Sequence, residues 1–210
     1  MKHSLKLGIT GLISVAFLSA CGPDAQMQDE SALAMPADSD LGQTESELSV
    51  SGYTYTLTPR GGWSGNPYTL SCNPGYVAAG IYGRSGGYVD QLGLECAYMN
   101  MDGSLGFRYR TGTAGGTGGG YFSISCPTGQ AIVGFQGRVG NLVDRLGIYC
   151  AYAADWRING VVQYVSYEVG GTGGGPFSDV CPGSYMLTAL NVRADRYVVQ
   201  EQGICSYINP

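Results

Sequence analysis

The chain has 210 residues, and 35 of them are glycine, a composition that disfavours long helices and favours an all-β fold. The formal net charge is −5, from 11 Lys and Arg against 16 Asp and Glu. The one histidine is His3 and no lysine follows Lys6, so removal of a leader peptide would leave neither a histidine base nor a lysine amine. The composition therefore argues against most classes of enzyme and of metal-binding protein. The sequence also has no basic stripe of the kind that predicts nucleic-acid binding.

The N-terminal residues have the pattern of an export signal. Lys2 and Lys6 precede residues 7–18, which are apolar but too few to span a bilayer. The segment ends in the run Leu-Ser-Ala-Cys, closing at Cys21, which resembles the lipobox of bacterial lipoproteins. The resemblance implies that residues 1–20 are a lipoprotein signal peptide and that Cys21 is lipidated and becomes the first mature residue. An ordinary signal peptide cleaved after Ala20 is the alternative.

Cysteine parity supports the lipidation of Cys21. The chain has seven cysteines, and setting Cys21 aside leaves six, which can form three pairs. Several acyl chains on one residue anchor a protein stably in a membrane. Gly22 follows the cysteine in place of the Asp that usually retains such lipoproteins at the inner membrane. The resemblance therefore implies an exported protein anchored at the outer membrane, facing the periplasm or the cell surface.

Residues 21–48, which begin with the lipidated cysteine, are predicted to be a disordered acidic tether. The stretch contains seven acidic residues, no Lys or Arg, and few apolar side chains to offset the entropy cost of ordering. Fully extended, it would reach at most about 90 Å. The folded domain is predicted at 49–210, where nine Arg balance nine acidic residues.

The predicted domain repeats itself three times. The repeats cover about 49–102, 103–157 and 158–210, and such self-similarity indicates one supersecondary unit used three times. Six cysteines allow many connectivities, but their equal spacing favours one disulfide within each repeat. Each bridge would close a loop of about 25 residues and contribute about 3 kcal/mol. The pairs would be Cys72 with Cys96, Cys126 with Cys150, and Cys181 with Cys205.

Each repeat has the pattern of four short strands. Residues 53–58 and 107–110 alternate with a period of two, as half-buried strands do. Further strands are predicted to lead into the first cysteine of each pair, to follow it as an apolar run, and to carry the second cysteine. Three four-stranded units about a pseudo-threefold axis fit either a β-trefoil or a three-sheet prism, and the pattern leaves both open.

The stretch from Gly115 to Cys150, GGTGGGYFSISCPTGQAIVGFQGRVGNLVDRLGIYC, resembles the closing repeat of jacalin-related lectins. The similarity extends to the other two repeats, well in the first and weakly in the third. It implies an all-β fold, a β-prism of three Greek-key four-stranded units with pseudo-threefold symmetry. With one cysteine pair in each repeat, there would be one disulfide per unit. Such cysteine pairs are untypical of the plant members and suggest a bacterial, exported branch.

In that family a Gly-x-x-x-Asp loop and a Gly-Gly loop hold sugar hydroxyls through the carboxylate and backbone N–H groups. The resemblance therefore implies a carbohydrate-binding lectin for mannose- or glucose-type glycans, with no catalytic residue, cofactor or metal. The third repeat has Asp195 and Val199 at the Gly and Asp positions, so its site is predicted to be lost. The predicted site residues are Gly86, Gly87, Tyr88, Val89 and Asp90 with Gly115 and Gly116, and Gly140, Asn141, Leu142, Val143 and Asp144 with Gly170 and Gly171.

Each Gly-x-x-x-Asp loop, taken alone, is more simply interpreted as a structural turn, and a protein-interaction or envelope-structural module is the alternative function. A glycosidase is disfavoured because Asp90 and Asp144 occupy equivalent places of separate repeats, where they are expected to point apart. Arg84, Arg138 and Arg193 recur in all three repeats, which indicates a structural role such as bracing the loop.

Trp63 and Trp156 are candidate sugar platforms, although partly buried aromatic side chains are the commoner case. The expected partners are glycans and a membrane through Cys21, without nucleic acid. Jacalin-related lectins often assemble through their sheets, which leaves a homo-oligomer open.

Overall fold

The computed structural model describes residues 47–210, and within them it contains fourteen strands and one short helix. The predicted signal peptide, Cys21 and nearly all of the predicted tether lie outside the described residues. None of the helical structure within residues 47–210 is long and apolar enough to cross a membrane. The elements are β1 (Ser49–Thr56), β2 (Arg60–Gly61), β3 (Asn66–Ser71), β4 (Tyr76–Ser85), β5 (Val89–Met99), β6 (Leu105–Gly115), β7 (Gly120–Ser125), β8 (Gln130–Val139), β9 (Val143–Tyr152), α1 (Ala153–Asn159), β10 (Tyr164–Val165), β11 (Val169–Gly170), β12 (Gly175–Val180), β13 (Tyr185–Ala194) and β14 (Val198–Asn209).

The strands form three antiparallel sheets with one common topology. The first sheet has the order β7-β4-β5-β6, the second β12-β8-β9-β10, and the third β3-β13-β14-β1. The outer position is shared by β10 and β11 in the second sheet, and by β1 and β2 in the third. Counted from its first central strand, each sheet has the spatial order 4-1-2-3, which defines a Greek key. The predicted prism of three Greek-key units is confirmed.

The sheets are offset from the sequence repeats. Each sequence repeat opens with strands that complete the sheet of the repeat before it, so its own central hairpin starts a new sheet. The first three strands therefore complete the third sheet, whose central hairpin, β13–β14, is C-terminal. Ser49 pairs with Asn209 across this sheet. The third unit thus forms only when the two ends of the domain meet.

The inner faces of the three sheets share one apolar core. At matched positions of β4, β8 and β13, the side chains of Ile81, Phe135 and Leu190 are fully buried. Leu92 and Leu146 join the same cluster from β5 and β9. Burying each such side chain contributes about 2 kcal/mol. This common core fixes the three hairpins against one another and so fixes the positions of the turns at their ends.

A second apolar cluster closes the end of the prism at which β4, β8 and β13 begin. Its largest member is Trp156 of α1, which is 2% exposed and donates from Nε1 to the carbonyl oxygen of Tyr185 at 2.7 Å. The helix ends at Asn159 and is capped by Gly160, whose φ of 61° is left-handed. Leu48 is also buried in this cluster. The turns of the central hairpins, which contain the predicted site, lie at the opposite end.

All three predicted disulfides are confirmed: Cys72–Cys96, Cys126–Cys150 and Cys181–Cys205. In each pair the first cysteine directly follows an outer strand of one sheet, and the second lies in a central strand of the next sheet. The bridges therefore tie the third sheet to the first, the first to the second, and the second to the third. Sequence alone placed each bridge within a repeat, and the offset of the sheets turns it into a link between sheets.

Candidate functional site

Three matched loops connect the central strands of the sheets. Loop A (86–90), loop B (140–144) and loop C (195–199) follow β4, β8 and β13 and lie at one end of the prism. In each, the N–H of the first residue donates to the carbonyl of the third, at 2.9, 3.1 and 3.1 Å respectively. Loop C forms this turn with Asp195 and Val199 at the Gly and Asp positions. The glycine and aspartate of loops A and B are therefore not needed to make the turn.

Each loop faces a glycine-rich segment of its own sheet. At loop A the N–H of Gly116 donates to the backbone carbonyl of Asp90 at 2.9 Å. At loop B the N–H of Gly171 donates to the carbonyl of Asp144 at 2.7 Å. The structure thus brings together both predicted pairs of loop and Gly-Gly segment. The segments are 115–119 for loop A, 170–174 for loop B and 61–65 for loop C.

The carboxylate of Asp90 lies against two further glycines that are not among the predicted site residues. A Cβ at Gly118 would collide with Oδ1, and one at Gly119, whose φ is 63°, would lie 2.6 Å from Oδ2. Residues 173–174 enclose the carboxylate of Asp144 in the same way. The sequence does indicate these further glycines, because the whole run Gly-Gly-Thr-Gly-Gly-Gly is repeated and not just its first two residues.

The two aspartates are buried, and the carboxylate of Asp90 is not fully paired. Asp90 and Asp144 are each 5% exposed. Oδ2 of Asp90 has no hydrogen-bond partner among the described residues, and within residues 47–210 neither carboxylate caps its own turn. A buried carboxylate oxygen without a donor is costly, so the site at Asp90 has acceptor capacity that the surrounding protein groups leave unused.

The recurring arginines brace the glycine-rich segments, as predicted. Arg84 donates from Nε to the carbonyl of Gly118 at 2.9 Å and from Nη2 to that of Gly119 at 2.7 Å. Arg138 makes the same two bonds to residues 173–174, at 2.8 and 2.7 Å. Arg193 makes the corresponding pair in the third sheet at 3.2 and 3.1 Å. Each planar guanidinium thereby holds two successive carbonyls and fixes the segment beside its loop.

Loop C offers no carboxylate at the matched position. Val199 takes the place of the aspartate, is 5% exposed and lies against Gly62. Ser64 stands in place of the first glycine that contacts the carboxylate in loops A and B. Gln200 donates to the carbonyl of Gly62 at 2.8 Å and so preserves the backbone arrangement. The third position keeps the scaffold of the site and has lost its acceptor.

The other predicted loop residues divide into buried and exposed sets. Val89 and Val143 are fully buried, so only their backbone atoms could reach a ligand. Tyr88 is 38% exposed, Leu142 is partly buried and Asn141 is exposed. These three side chains are the ones in loops A and B that are available to contact a bound molecule.

The three loops lie against one another's glycine-rich segments. A Cβ at Gly171 would collide with the carbonyl of Gly87, which places loop A against the segment that serves loop B. Gly62 lies in the same way against the carbonyl of Asn141 in loop B. The pseudo-threefold axis relates the loops but does not separate them, because all three turns close the same end of the prism.

The two tryptophans have different environments. Trp156 is buried in the second apolar cluster and cannot act as a sugar platform. Trp63 is 73% exposed and belongs to segment 61–65, which serves loop C, the loop with Val199 at the aspartate position. In the described part of the chain, no group of three or more His, Cys, Asp or Glu side chains is placed to hold a metal ion.

Several solved structures are similar to this one. A Malaysian banana lectin is 17% identical, with a TM-score of 0.55 over 74% of this chain and 99% of that chain. A mannose-binding jacalin-related lectin from Ananas comosus is 21% identical, with a TM-score of 0.55 over 73% and 98%. The agglutinin of Calystegia sepium is 19% identical, with a TM-score of 0.53 over 76% and 98%. No protein-family model matches the chain. The fold of this chain is the β-prism of jacalin-related lectins.

Proposed function

We propose that this protein is a non-enzymatic lectin that binds mannose- or glucose-type glycans at two sites, one at loop A and one at loop B. The observation that carries the proposal is the pair of carboxylates, Asp90 and Asp144, each enclosed by glycines, with Oδ2 of Asp90 left without a hydrogen-bond partner among the described residues. Loop C makes the same turn without such a carboxylate, so the aspartates are better explained by a ligand than by the fold. The similar structures include lectins described as mannose-binding, which supports the same class of ligand.

The chemistry of the site suits a sugar. A carboxylate accepts charge-assisted hydrogen bonds from two adjacent hydroxyl groups, and neighbouring glycines let a ligand approach the backbone closely. Individual sites of this kind bind weakly, and two sites on one domain gain affinity for multivalent glycans through effective concentration.

One observation favours the alternative, a protein-interaction or envelope-structural module. The two carboxylates are only 5% exposed, which limits the approach of a ligand to their outer edges. A module that does not bind sugar would need only the loop scaffold, and loop C forms this scaffold without an aspartate at the matched position.

A glycan array separates these functions. The purified protein would be compared with the Asp90→Asn/Asp144→Asn variant, which keeps side-chain volume while removing both charges. Asp155→Asn, an acid on α1 at the other end of the prism, is the matched control. We expect binding to a mannose- or glucose-type class that is lost in the double variant and retained in the control. A folded protein that binds no glycan, or a double variant that binds as well as the parent, would support the alternative.

We also propose that the domain is tethered to the outer membrane through lipid on Cys21, with residues 1–20 removed. The lipobox-like sequence and the three disulfides, which leave Cys21 as the odd cysteine, support this proposal. Cys21→Ala should move the protein from the membrane fraction to the soluble fraction and abolish incorporation of labelled palmitate. Unchanged fractionation and labelling would contradict the anchor without affecting the sugar sites.

A further inference from the structure

Loop C, which has Val199 at the position of Asp90, lies against the segment that serves Asp90. The backbone of Arg196 packs so closely on Gly116 that a Cβ at Gly116 would collide with the carbonyl oxygen of Arg196. Tyr197 packs on Tyr88 of loop A, with ring centroids 5.2 Å apart and ring planes at 57°. Loop C therefore forms one wall of the first candidate site.

The charge of Arg196 is available on this wall. Its Cζ stands over the ring of Tyr197, 5.4 Å from the centroid. Arg196 is exposed, and within residues 47–210 it takes part in none of the ion pairs. Arg145, by contrast, faces Glu168 at 3.7 Å, and Arg84 is bonded to backbone carbonyls. The guanidinium of Arg196 thus stands over an aromatic ring and forms no ion pair within residues 47–210, while the adjacent Asp195 accepts from Nδ2 of Asn66 at 2.7 Å.

This arrangement suits a carboxylated sugar ring. A guanidinium binds a carboxylate through two parallel hydrogen bonds, and a tyrosine face packs on the apolar face of a ring. The positive charge also offsets the repulsion that Asp90 would exert on an anionic ligand nearby. A neutral glycan would gain only the packing against Tyr88 and Tyr197.

We propose that Tyr88, Arg196 and Tyr197 form an accessory subsite that binds an acidic sugar residue, of the hexuronic acid class, next to the residue held by Asp90. The inference rests on the proposed lectin function and names the glycan class of its first site. Loop C, in this view, exchanged its own carboxylate site for a role in the neighbouring one.

The second candidate site provides an internal comparison. In the second site, loop A takes the place that loop C has in the first, because Gly87 lies against Gly171 as Arg196 lies against Gly116. Loop B itself has Asn141 and Leu142 at the positions of Gly87 and Tyr88. All of these side chains are neutral. The site at Asp144 is therefore expected to show no preference for an acidic residue.

The test measures the two sites separately in the full-length protein. Asp144→Asn leaves the first site and Asp90→Asn leaves the second. Titration calorimetry with mannobiose and with a glucuronosyl-mannose disaccharide gives the ratio of acidic to neutral affinity. We expect the first site to favour the acidic disaccharide roughly tenfold, as a charge-assisted pair allows, and the second site to show a ratio near one. Adding Arg196→Gln should remove the preference of the first site, while Arg196→Lys should retain part of it.

The control is Arg157→Gln, which removes a positive charge from α1 at the other end of the prism. It should leave the affinity ratio unchanged, whereas high salt should lower the ratio of the first site. Equal affinity of the first site for both disaccharides, or a preference that survives Arg196→Gln, would overturn the subsite while leaving the lectin function intact. Binding of neither disaccharide at either site would overturn both proposals.

Discussion

Replacing Glu201 by glutamine is expected to remove most of the pH dependence of folding stability between about pH 4.5 and 8. Glu201 lies on β14 at a position that is leucine in the other two sheets. It is 2% exposed, and its Oε2 has no hydrogen-bond partner within residues 47–210. Arg60, which pairs with it in register, binds Asp179 through Nε at 2.5 Å and Nη2 at 2.6 Å. The three side chains therefore form one charged cluster between the second and third sheets.

The surroundings of Glu201 set its protonation state. Burial, and to a lesser degree the negative charge of Asp179, raise the pKa of Glu201 to about 8 against the opposing effect of Arg60. The hydrogen bond to Asp179, in turn, raises the pKa of Arg60. At neutral pH the cluster thus contains one ion pair and a protonated Glu201, and its net charge is zero. A buried group with no net charge avoids most of the desolvation cost.

The direction of the pH effect follows from proton binding. Below pH 4.5 Glu201 is protonated in the folded and the unfolded chain alike. As the pH rises from there towards about 8, the unfolded chain releases a proton that the folded state keeps, so stability falls. At about 1.4 kcal/mol per pH unit, the interval from 4.5 to about 8 corresponds to a loss of at most about 5 kcal/mol.

Urea unfolding at about pH 4.5 and pH 8.5, with disulfides intact, measures this loss. Glu201→Gln keeps the shape and cannot ionise, so its free energy of unfolding should change much less between the two pH values than that of the parent. Glu168→Gln, a partly exposed acid beside Arg145, is the matched control and should retain the parent's dependence. An equal pH dependence in Glu201→Gln and the parent would refute the assignment of a protonated, buried Glu201.

Two further predictions concern the glycine-rich segment and the bridges. Gly118→Ala should abolish glycan binding at the first site, because its Cβ would collide with the carboxylate of Asp90. Gly87→Ala should fold normally, because its Cβ meets no atom within 4 Å. Single-site calorimetry checks both variants, and binding retained by Gly118→Ala would contradict the geometry. Replacing Cys72 and Cys96 together by alanine should lower the free energy of unfolding by about 3 kcal/mol, since the bridge closes a loop of 24 residues' separation and joins two sheets. Denaturant unfolding would show this, and a loss near zero would mean that the bridge does not constrain the unfolded chain.

The sequence predicted the features that repeat within a short stretch of chain. Equal spacing was enough to pair Cys126 with Cys150, because the three pairs share one local structure. The same repetition identified Asp90 and Asp144 as matched residues, and Arg84 as a residue with a structural role. Each of these depends on neighbours within one repeat and its adjoining strand, so comparison of the three copies exposed it.

Periodicity could not show which strands share a sheet. Strand patterns are compatible with several partners, and the pairing of Ser49 with Asn209 is fixed only when the two ends of the domain meet. This pairing shifts the sheets against the repeats and makes each disulfide a link between sheets. The same limit explains why Val89 and Val143 entered the predicted site although their side chains belong to the core.

What the chain determined by itself was a threefold unit, its disulfides and two matched carboxylates, since local spacing and strand alternation encode these. The tertiary structure decided which residues of one unit contact those of another. The approach of Arg196 to Gly116 and of Arg60 to Asp179 joins residues that are far apart in sequence and belong to different sheets. Burial, charge compensation and the shape of the site arise from such contacts, because the dielectric environment of a side chain depends on everything packed around it.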